Sequence, residues 1–322
     1  MKDIILLLTN SRDGAHTHSV LDRLGDSNAF RLDVDSIVNG EVSFILRNGP
    51  QTEKASLVSH ENEINISQIS SIWYRRPNVF DFDIKDSAQR AYAEKEMVAF
   101  LHNLFELMPP SVYWMNNPNN LAIARNKIPQ LRFARAHGMH VPDTLVTNDP
   151  QEVTMFHSFH RKIIFKAIYN EFIDLGSKVL NVPTTLITAS HLNHLETIRK
   201  LPGMFQQFIN KVAEVRITIV EDAIFAVRIS PKIPFDMADW RHPFAGHNLK
   251  YEIIKLPQVI ERFCTDLMRH YGLSFGAIDM MIDEQESYWF LELNPNGQWY
   301  WIQDLTGAPI AEAIADNLTY RR

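Results

Sequence analysis

The chain opens on an apolar stretch, Ile4 to Thr9 (IILLLT), which has the length and character of a buried strand. The segment around Val20 to Leu24 turns helical, and Ala29 to Asp35 (AFRLDVD) returns to a strand pattern, so the N-terminus predicts an α/β unit. No G-x-G-x-x-G follows the first strand, which removes the dinucleotide fingerprint. Ile69 to Pro77 (ISSIWYRRP) predicts a further strand that ends on Arg75 and Arg76. A helix is predicted from about Asp86 to Met108, stopped by Pro109-Pro110, and the turn chemistry of Met115 to Asn120 (MNNPNN) marks a domain boundary.

Beyond that boundary the pattern predicts a helical region over Leu121 to His137, a strand over Lys162 to Ile168, a helix around His191 to Lys200 and a strand over Met204 to Ile209. A hairpin follows, EVRITIV against AIFAVRIS, joined by Glu221-Asp222; then a helix from about Pro257 to His270 and a second hairpin, GAIDMMID against YWFLELN. Strands and helices alternate without a long parallel series, so this half reads as α+β or mixed α/β.

The last hairpin carries a charge where an apolar residue is expected. If Asp283 pairs with Tyr288 across the loop EQES, Asp279 lies directly opposite Glu292, with Cβ atoms about 4.5–5.5 Å apart. Asn294 shares the face of Glu292 one step on. Two like charges facing each other on an apolar hairpin destabilise it unless a cation lies between them. The simplest remedy is a metal; the alternatives are edge carboxylates that reach water, or one held neutral. All the donors are oxygens, which suits Mg²⁺ better than Zn²⁺, and such a site leaves positions for water and substrate phosphates.

Composition bounds the setting. The 322 residues are 45% hydrophobic and 22% charged, ordinary for a globular protein of two or three domains. Neither a membrane span of about 18 or more apolar residues nor a signal-peptide pattern is present, so a cytoplasmic address is expected. The net charge of −6, without a dense Lys/Arg block, argues against nucleic acid. The single Cys264 falls in the apolar stripe of Val259, Ile260, Phe263 and Leu267 and reads as a packed thiol. His16 and His18 lack metal-spaced partners and read as surface residues.

Cations should face any phosphates held at the acidic pair. Lys166 ends the apolar run IIFK and Lys127 lies in ARNKIPQL, but a lone lysine is usually a solvated surface residue, so neither by itself marks a site. Arg216 within EVRITIV could hold a phosphate or carboxylate two-pronged, or could pair with Glu214 on its own face.

Taken together, Lys127, Lys166, QQFI, EVR, AIDM and LELNPNG resemble the ATP-grasp ligases in order and spacing from about Asn116 onward. With WYRRP, LRFARAHGMHVPDTLVTNDP and DWR (Asp239 to Arg241), the match extends over nearly the whole chain and is most similar to the maturases of microviridins and related graspetides. The resemblance implies an ATP-grasp fold of the mixed α/β class, divided into a Rossmann-like pre-ATP-grasp domain (1–115), a central subdomain with a leader-binding helix (116–202) and a C-terminal subdomain with the Mg²⁺/ATP site (203–322). It further implies ATP phosphates on Lys127 and Lys166, adenine at Gln206, Gln207, Phe208 and Ile209 with Glu214 nearby, and Mg²⁺ on Asp279, Glu292 and Asn294. Arg216, Arg241 and Asp239 would serve the chemistry, with Asp239 or His242 as candidate base. The glycine-rich phosphate loop of such enzymes is represented only by Gly176, and the leader-binding helix, acidic in the microviridin enzymes, carries His191, Asn193 and His194 here.

The implied activity is ATP-dependent closure of ester or amide side-chain crosslinks in a ribosomally made precursor peptide, by a homodimer. A free carboxylate cannot expel oxide, whereas an acyl phosphate expels phosphate, and positioning with charge neutralisation is what a protein adds. Two rivals stand beside it: a ligase joining amino acids or extending a peptide terminus, in the manner of glutathione synthetase, and a non-catalytic ATP- or peptide-binding module.

Overall fold

Ile4–Thr9 forms β1, buried along its whole length in the computed structural model, which describes residues 3–49, 52–60, 62–77, 80, 82–169, 172–174, 179–232 and 248–320. Helix α1 (Gly14–Leu24) leads to β2 (Ala29–Asp33). The strand predicted to Asp35 ends two residues early in α2 (Val34–Val38), because Asp35 turns its carboxylate to the Ser11 N–H (2.9 Å) and Ser36 Oγ donates to the Asp33 carbonyl (2.6 Å). An antiparallel meander of β3 (Val42–Gly49), β4 (Thr52–Ser59) and β5 (Glu63–Asn65) follows. It has no counterpart among the sequence-based expectations, since much of β3 faces solvent and the alternation is weak. Then come β6 (Ile69–Tyr74), α3 (Ser87–Glu106) and β7 (Tyr113–Met115). Strands β2-β1-β6-β7 form one parallel sheet, so residues past the ends of β1 and β6 gather at a common carboxyl edge.

The helical region after the boundary is two helices, α4 (Pro118–Ala124) and α5 (Lys127–Ala136), because Asn126 leaves helical geometry and its Nδ2 donates to the Ala122 and Ile123 carbonyls. Next are β8 (Thr144–Thr147), α6 (Pro150–His160), β9 (Ile163–Lys166), β10 (Phe172–Asp174), β11 (Val179–Asn181) and β12 (Thr185–Leu186). The helix expected at His191 to Lys200 is instead one short turn, α7 (Ala189–Leu192), and a 3₁₀ segment (Leu195–Lys200), before β13 (Gly203–Gln207). Sheet order here is β12-β9-β13-β8.

Five antiparallel strands, in the order β16-β15-β14-β17-β18, make the last sheet: β14 (Lys211–Val220), β15 (Ala223–Pro231), β16 (Leu249–Ile254), β17 (Phe275–Asp283) and β18 (Tyr288–Asn294). Between β16 and β17 lies α8 (Gln258–Tyr271), whose stripe of Ile260, Phe263, Cys264 and Leu267 is buried; burial pushes the Cys264 thiol up, as a packed residue requires. Helices α9 (Tyr300–Thr306) and α10 (Ile310–Tyr320) close the chain. Ile310, Ile314 and Leu318 are fully buried in the chain's own core, where α10 meets α1 and β6, and Ser71 Oγ on β6 donates to the Leu318 carbonyl (2.7 Å).

Candidate active site

The hairpin β17/β18 sets Asp279 directly opposite Glu292. The route to that register differs from the sequence expectation. Asp283 does not pair with Tyr288; Ile282 does, and Asp283 turns into the loop instead, its Oδ1 accepting the Gln285 and Ser287 N–H groups and its Oδ2 the Trp289 indole N–H (2.8 Å). The register slips by one between Asp279 and Met280, where Leu291 is the extra residue, and this bulge restores the acidic pairing. Without it Glu292 would face Ile278, which is wholly buried.

Cations answer the two carboxylates. Arg216 on β14 lies opposite Asp279 and its Nη1 donates to both Asp279 oxygens (2.8 Å each), while Nη2 donates to the Gln298 carbonyl (2.8 Å). The pairing with Glu214 is not formed; Glu214 bonds Lys211. Lys127, at the start of α5, reaches Glu292 Oε2 (3.1 Å) and donates to the Ala167 carbonyl (3.1 Å), next to Lys166. The pair therefore does not depend on a metal for tolerance, a correction to the electrostatic expectation. One turn on from Lys127, fully buried Gln130 accepts the Leu293 N–H (2.8 Å) and donates to the Leu293 carbonyl (2.8 Å), fixing the strand that carries Glu292 and Asn294.

Asp279, with a third of its side chain exposed, Glu292 and exposed Asn294 are oxygen donors, and among the described residues no three His, Cys, Asp or Glu side chains gather into a metal cluster. That donor set fits a hard cation sharing its shell with phosphate oxygens rather than a metal held by protein alone. Lys166, only 8% exposed, forms no ion pair among the described residues. A buried ammonium without a counter-charge is costly, so it awaits an anion. Gln206 is buried with its Nε2 donating to Thr144 Oγ1 (2.9 Å), and the N–H groups of Gln207 and Phe208 are taken by the Asp143 and Lys162 carbonyls; Ile209 follows at the end of this edge. Asp239, Arg241, His242 and Gly176 lie outside the described residues.

The N-terminal domain enters this site, which the sequence reading missed. Arg75 follows β6 and is 1% exposed at its side chain; its Nε donates to Asp13 (2.9 Å) and its Nη1 to the Asn296 and Gly297 carbonyls (3.0 Å each) and to Asn296 Oδ1 (2.9 Å). Burial pushes this guanidinium down to about 10, against the pull of Asp13. His16 is buried rather than on the surface: Nδ1 lies 3.0 Å from Asp13 Oδ1, and the Trp299 N–H donates to Nε2 (3.4 Å). The signal was present as Asp13 three residues before His16 on the opening turn of α1.

Burial, its largest influence, holds the His16 imidazole below its ordinary value although the Asp13 hydrogen bond works upward. The unfolded chain, with an ordinary histidine, then binds more protons below about pH 6.5, so stability falls with acidification there. The melting temperature should decline between about pH 7 and pH 5, and less so in His16→Gln, as differential scanning fluorimetry reads it.

Gly297 packs where no side chain fits: a Cβ would come within 2.5 Å of Ala277 Cβ and 2.8 Å of Arg216 Nη2. Gly297→Ala is expected to cost about 1–3 kcal/mol in urea denaturation and to displace Arg216 from Asp279.

Comparison with known proteins agrees with this geometry. The MvdD pre-ATP-grasp domain matches residues 4–121. The chain superposes on a RiPP-associated ATP-grasp ligase of Chryseobacterium gregarium, solved with ADP and a leader and core peptide, at a TM-score of 0.90 and 27% identity, covering 99% of this chain and 97% of that one. For the macrocyclase MdnC of Microcystis aeruginosa MRC, bound to precursor peptide MdnA, the values are 0.87 and 29%, covering 99% and 100%. D-alanine–D-alanine ligase of Chromohalobacter salexigens is 23% identical over 54% of this chain, which spans 55% of that enzyme's length. An MvdD-type domain joined to the acidic hairpin, in a chain that follows two peptide-modifying ligases over nearly its whole length, makes this protein an ATP-grasp ligase similar to the graspetide maturases.

Proposed function

We propose that this ligase phosphorylates Asp or Glu side chains of a ribosomally made precursor peptide with ATP and closes macrolactone or macrolactam crosslinks, as in microviridin maturation. The observation that carries the reading is the row Arg216, Asp279, Glu292, Lys127, in which two facing acids are flanked by two cations, with buried Lys166 beside them. Lys127 and Lys166 bind the phosphates, and Glu292, with Asp279 and Asn294, is freed to hold Mg²⁺ when a triphosphate takes over Lys127. Bound there, Mg²⁺ supplies charge neutralisation at the phosphate oxygens. Gln206 to Ile209 with Glu214 form the adenine edge. Arg216 steadies charge on the transferring group.

The carboxylate oxygen bonds the γ-phosphorus while the bond to the bridging oxygen breaks and ADP leaves; a hydroxyl or amine then attacks the acyl carbon, phosphate leaves and a base takes the proton. Asp239 and Arg241 are assigned to that second half. The units 1–115, 116–202 and 203–322 are the working domains, the exposed segment with His191, Asn193 and His194 faces the leader, and a cytoplasmic homodimer follows from the resemblance to the family.

The test is incubation with ATP, Mg²⁺ and a precursor whose core is rich in Thr, Ser or Lys together with Asp or Glu: each ring removes the mass of one water. The likeness to D-alanine–D-alanine ligase favours a second reading, the joining of free amino acids, which ADP release with free amino acids and none with peptide would support. No ADP from either substrate class would leave a non-catalytic binding module.

A further inference from the structure

Three arginines from two domains meet on one short loop. Arg75 Nη1 donates to the Asn296 and Gly297 carbonyls, Arg76 Nη2 to the Asn296 carbonyl (3.4 Å) and Arg216 Nη2 to the Gln298 carbonyl (2.8 Å). Arg75 has Asp13 and Arg216 has Asp279, both within 2.9 Å. Arg76 pairs with no carboxylate among the described residues, and its side chain is exposed. Lys127 and Glu292 pair with each other, so of the three arginines on this loop only Arg76 has no carboxylate of its own among the described residues.

The backbone aims that charge at some cost. Arg76 has φ of 51°, rare for a residue with a Cβ, and it precedes Pro77, which itself disfavours helical geometry at the residue before it. The conformation is held from both sides: Asn10 Nδ2 donates to the Arg76 carbonyl (2.7 Å), and the Arg75 N–H donates to the Leu8 carbonyl (2.8 Å). Over-determined strain of this kind concentrates where a ligand is met, and the carboxyl edge of a parallel sheet is where such folds bind ligands. Two buried guanidinium nitrogens beside it, Arg75 Nη2 and Arg216 Nε, have no hydrogen-bond acceptor. Desolvation, with the Arg216 charge, holds Arg76 below the ordinary arginine range against the upward pull of Asp13.

We propose that Arg76, presented by the N-terminal domain, binds the peptide side-chain carboxylate that is to be phosphorylated, with Arg75 positioning it through the Asn296–Gly297 loop. This rests on the carboxylate-ligase reading above. A planar guanidinium grips a carboxylate by two parallel hydrogen bonds, which an ammonium cannot reproduce. The Arg76 site therefore discriminates an acidic side chain from its amide.

The probe is N-acetyl-glutamate N-methylamide, a blocked residue with one side-chain carboxylate, against its neutral glutamine counterpart, with binding read by saturation-transfer NMR in the presence of ADP and Mg²⁺. Wild type should prefer the carboxylate, Arg76→Asn, which tolerates positive φ, should bind it about 10- to 100-fold more weakly, and Arg76→Lys should recover part of the loss. ADP affinity, measured by calorimetry on the same samples, should stay within about two-fold. Equal binding of the two probes by wild type, undiminished binding by Arg76→Asn, or an equal loss of ADP affinity in that variant overturns the proposal. Absence of ADP binding by wild type would instead sink the ligase reading, and this inference with it.

Discussion

Replacing Glu292 by Gln should lower peptide-dependent ADP release about a hundred- to a thousand-fold, the scale on which loss of one preorganised charge at a reacting centre registers. The substitution keeps the shape and one oxygen but removes the charge that Lys127 now touches at 3.1 Å. Lys127 would be left leaning on the Ala167 carbonyl alone, and the oxygen set formed with Asp279 and Asn294 would lose half its formal charge. Electron paramagnetic resonance of Mn²⁺ with ADP separates the two effects: the ion should bind wild type only when nucleotide is present, and Glu292→Gln weakly or not at all. Turnover within two-fold of wild type would leave the acidic hairpin without a part in the chemistry.

Gln130→Leu should be the most damaging substitution for stability. Its amide is fully buried and serves the Leu293 N–H and carbonyl at 2.8 Å each, on the outer edge of β18, and its Nε2 also donates to the Ala124 carbonyl. Leucine fills the space but leaves three backbone groups in a dry setting without partners, each costing about 1–3 kcal/mol. A loss of about 3 kcal/mol or more is expected in urea denaturation, with a raised KM for ATP as the strand carrying Glu292 and Asn294 loosens. A loss below about 1 kcal/mol would show that water replaces the clamp.

The acidic pair was legible in the sequence because hairpin alternation is local: Asp279 and Glu292 are set by a turn and a few residues on either side. Two errors cancelled there. The turn closes one residue away from the expected place, and a bulge at Leu291 returns the difference. What neutralises the acids was not legible, since Lys127 and Arg216 arrive from other elements, and Arg75 meets Asn296 from 221 positions away. Such contacts leave no periodic trace. His16 was assigned to solvent because its partners, Asp13 and the Trp299 backbone, had no metal pattern to announce them. The meander β3 to β5 escaped for the opposite reason: exposed strands have little burial to imprint an alternation.

The additional residue at Leu291 makes this hairpin sensitive to arithmetic rather than to chemistry. If the strands paired without the bulge while keeping that residue, Glu292 would fall opposite buried Ile278, whereas deleting one residue between Tyr288 and Glu292 removes the bulge and leaves Glu292 opposite Asp279. A one-residue insertion there, by contrast, keeps the carboxylate opposite Asp279 only if the bulge widens to absorb it.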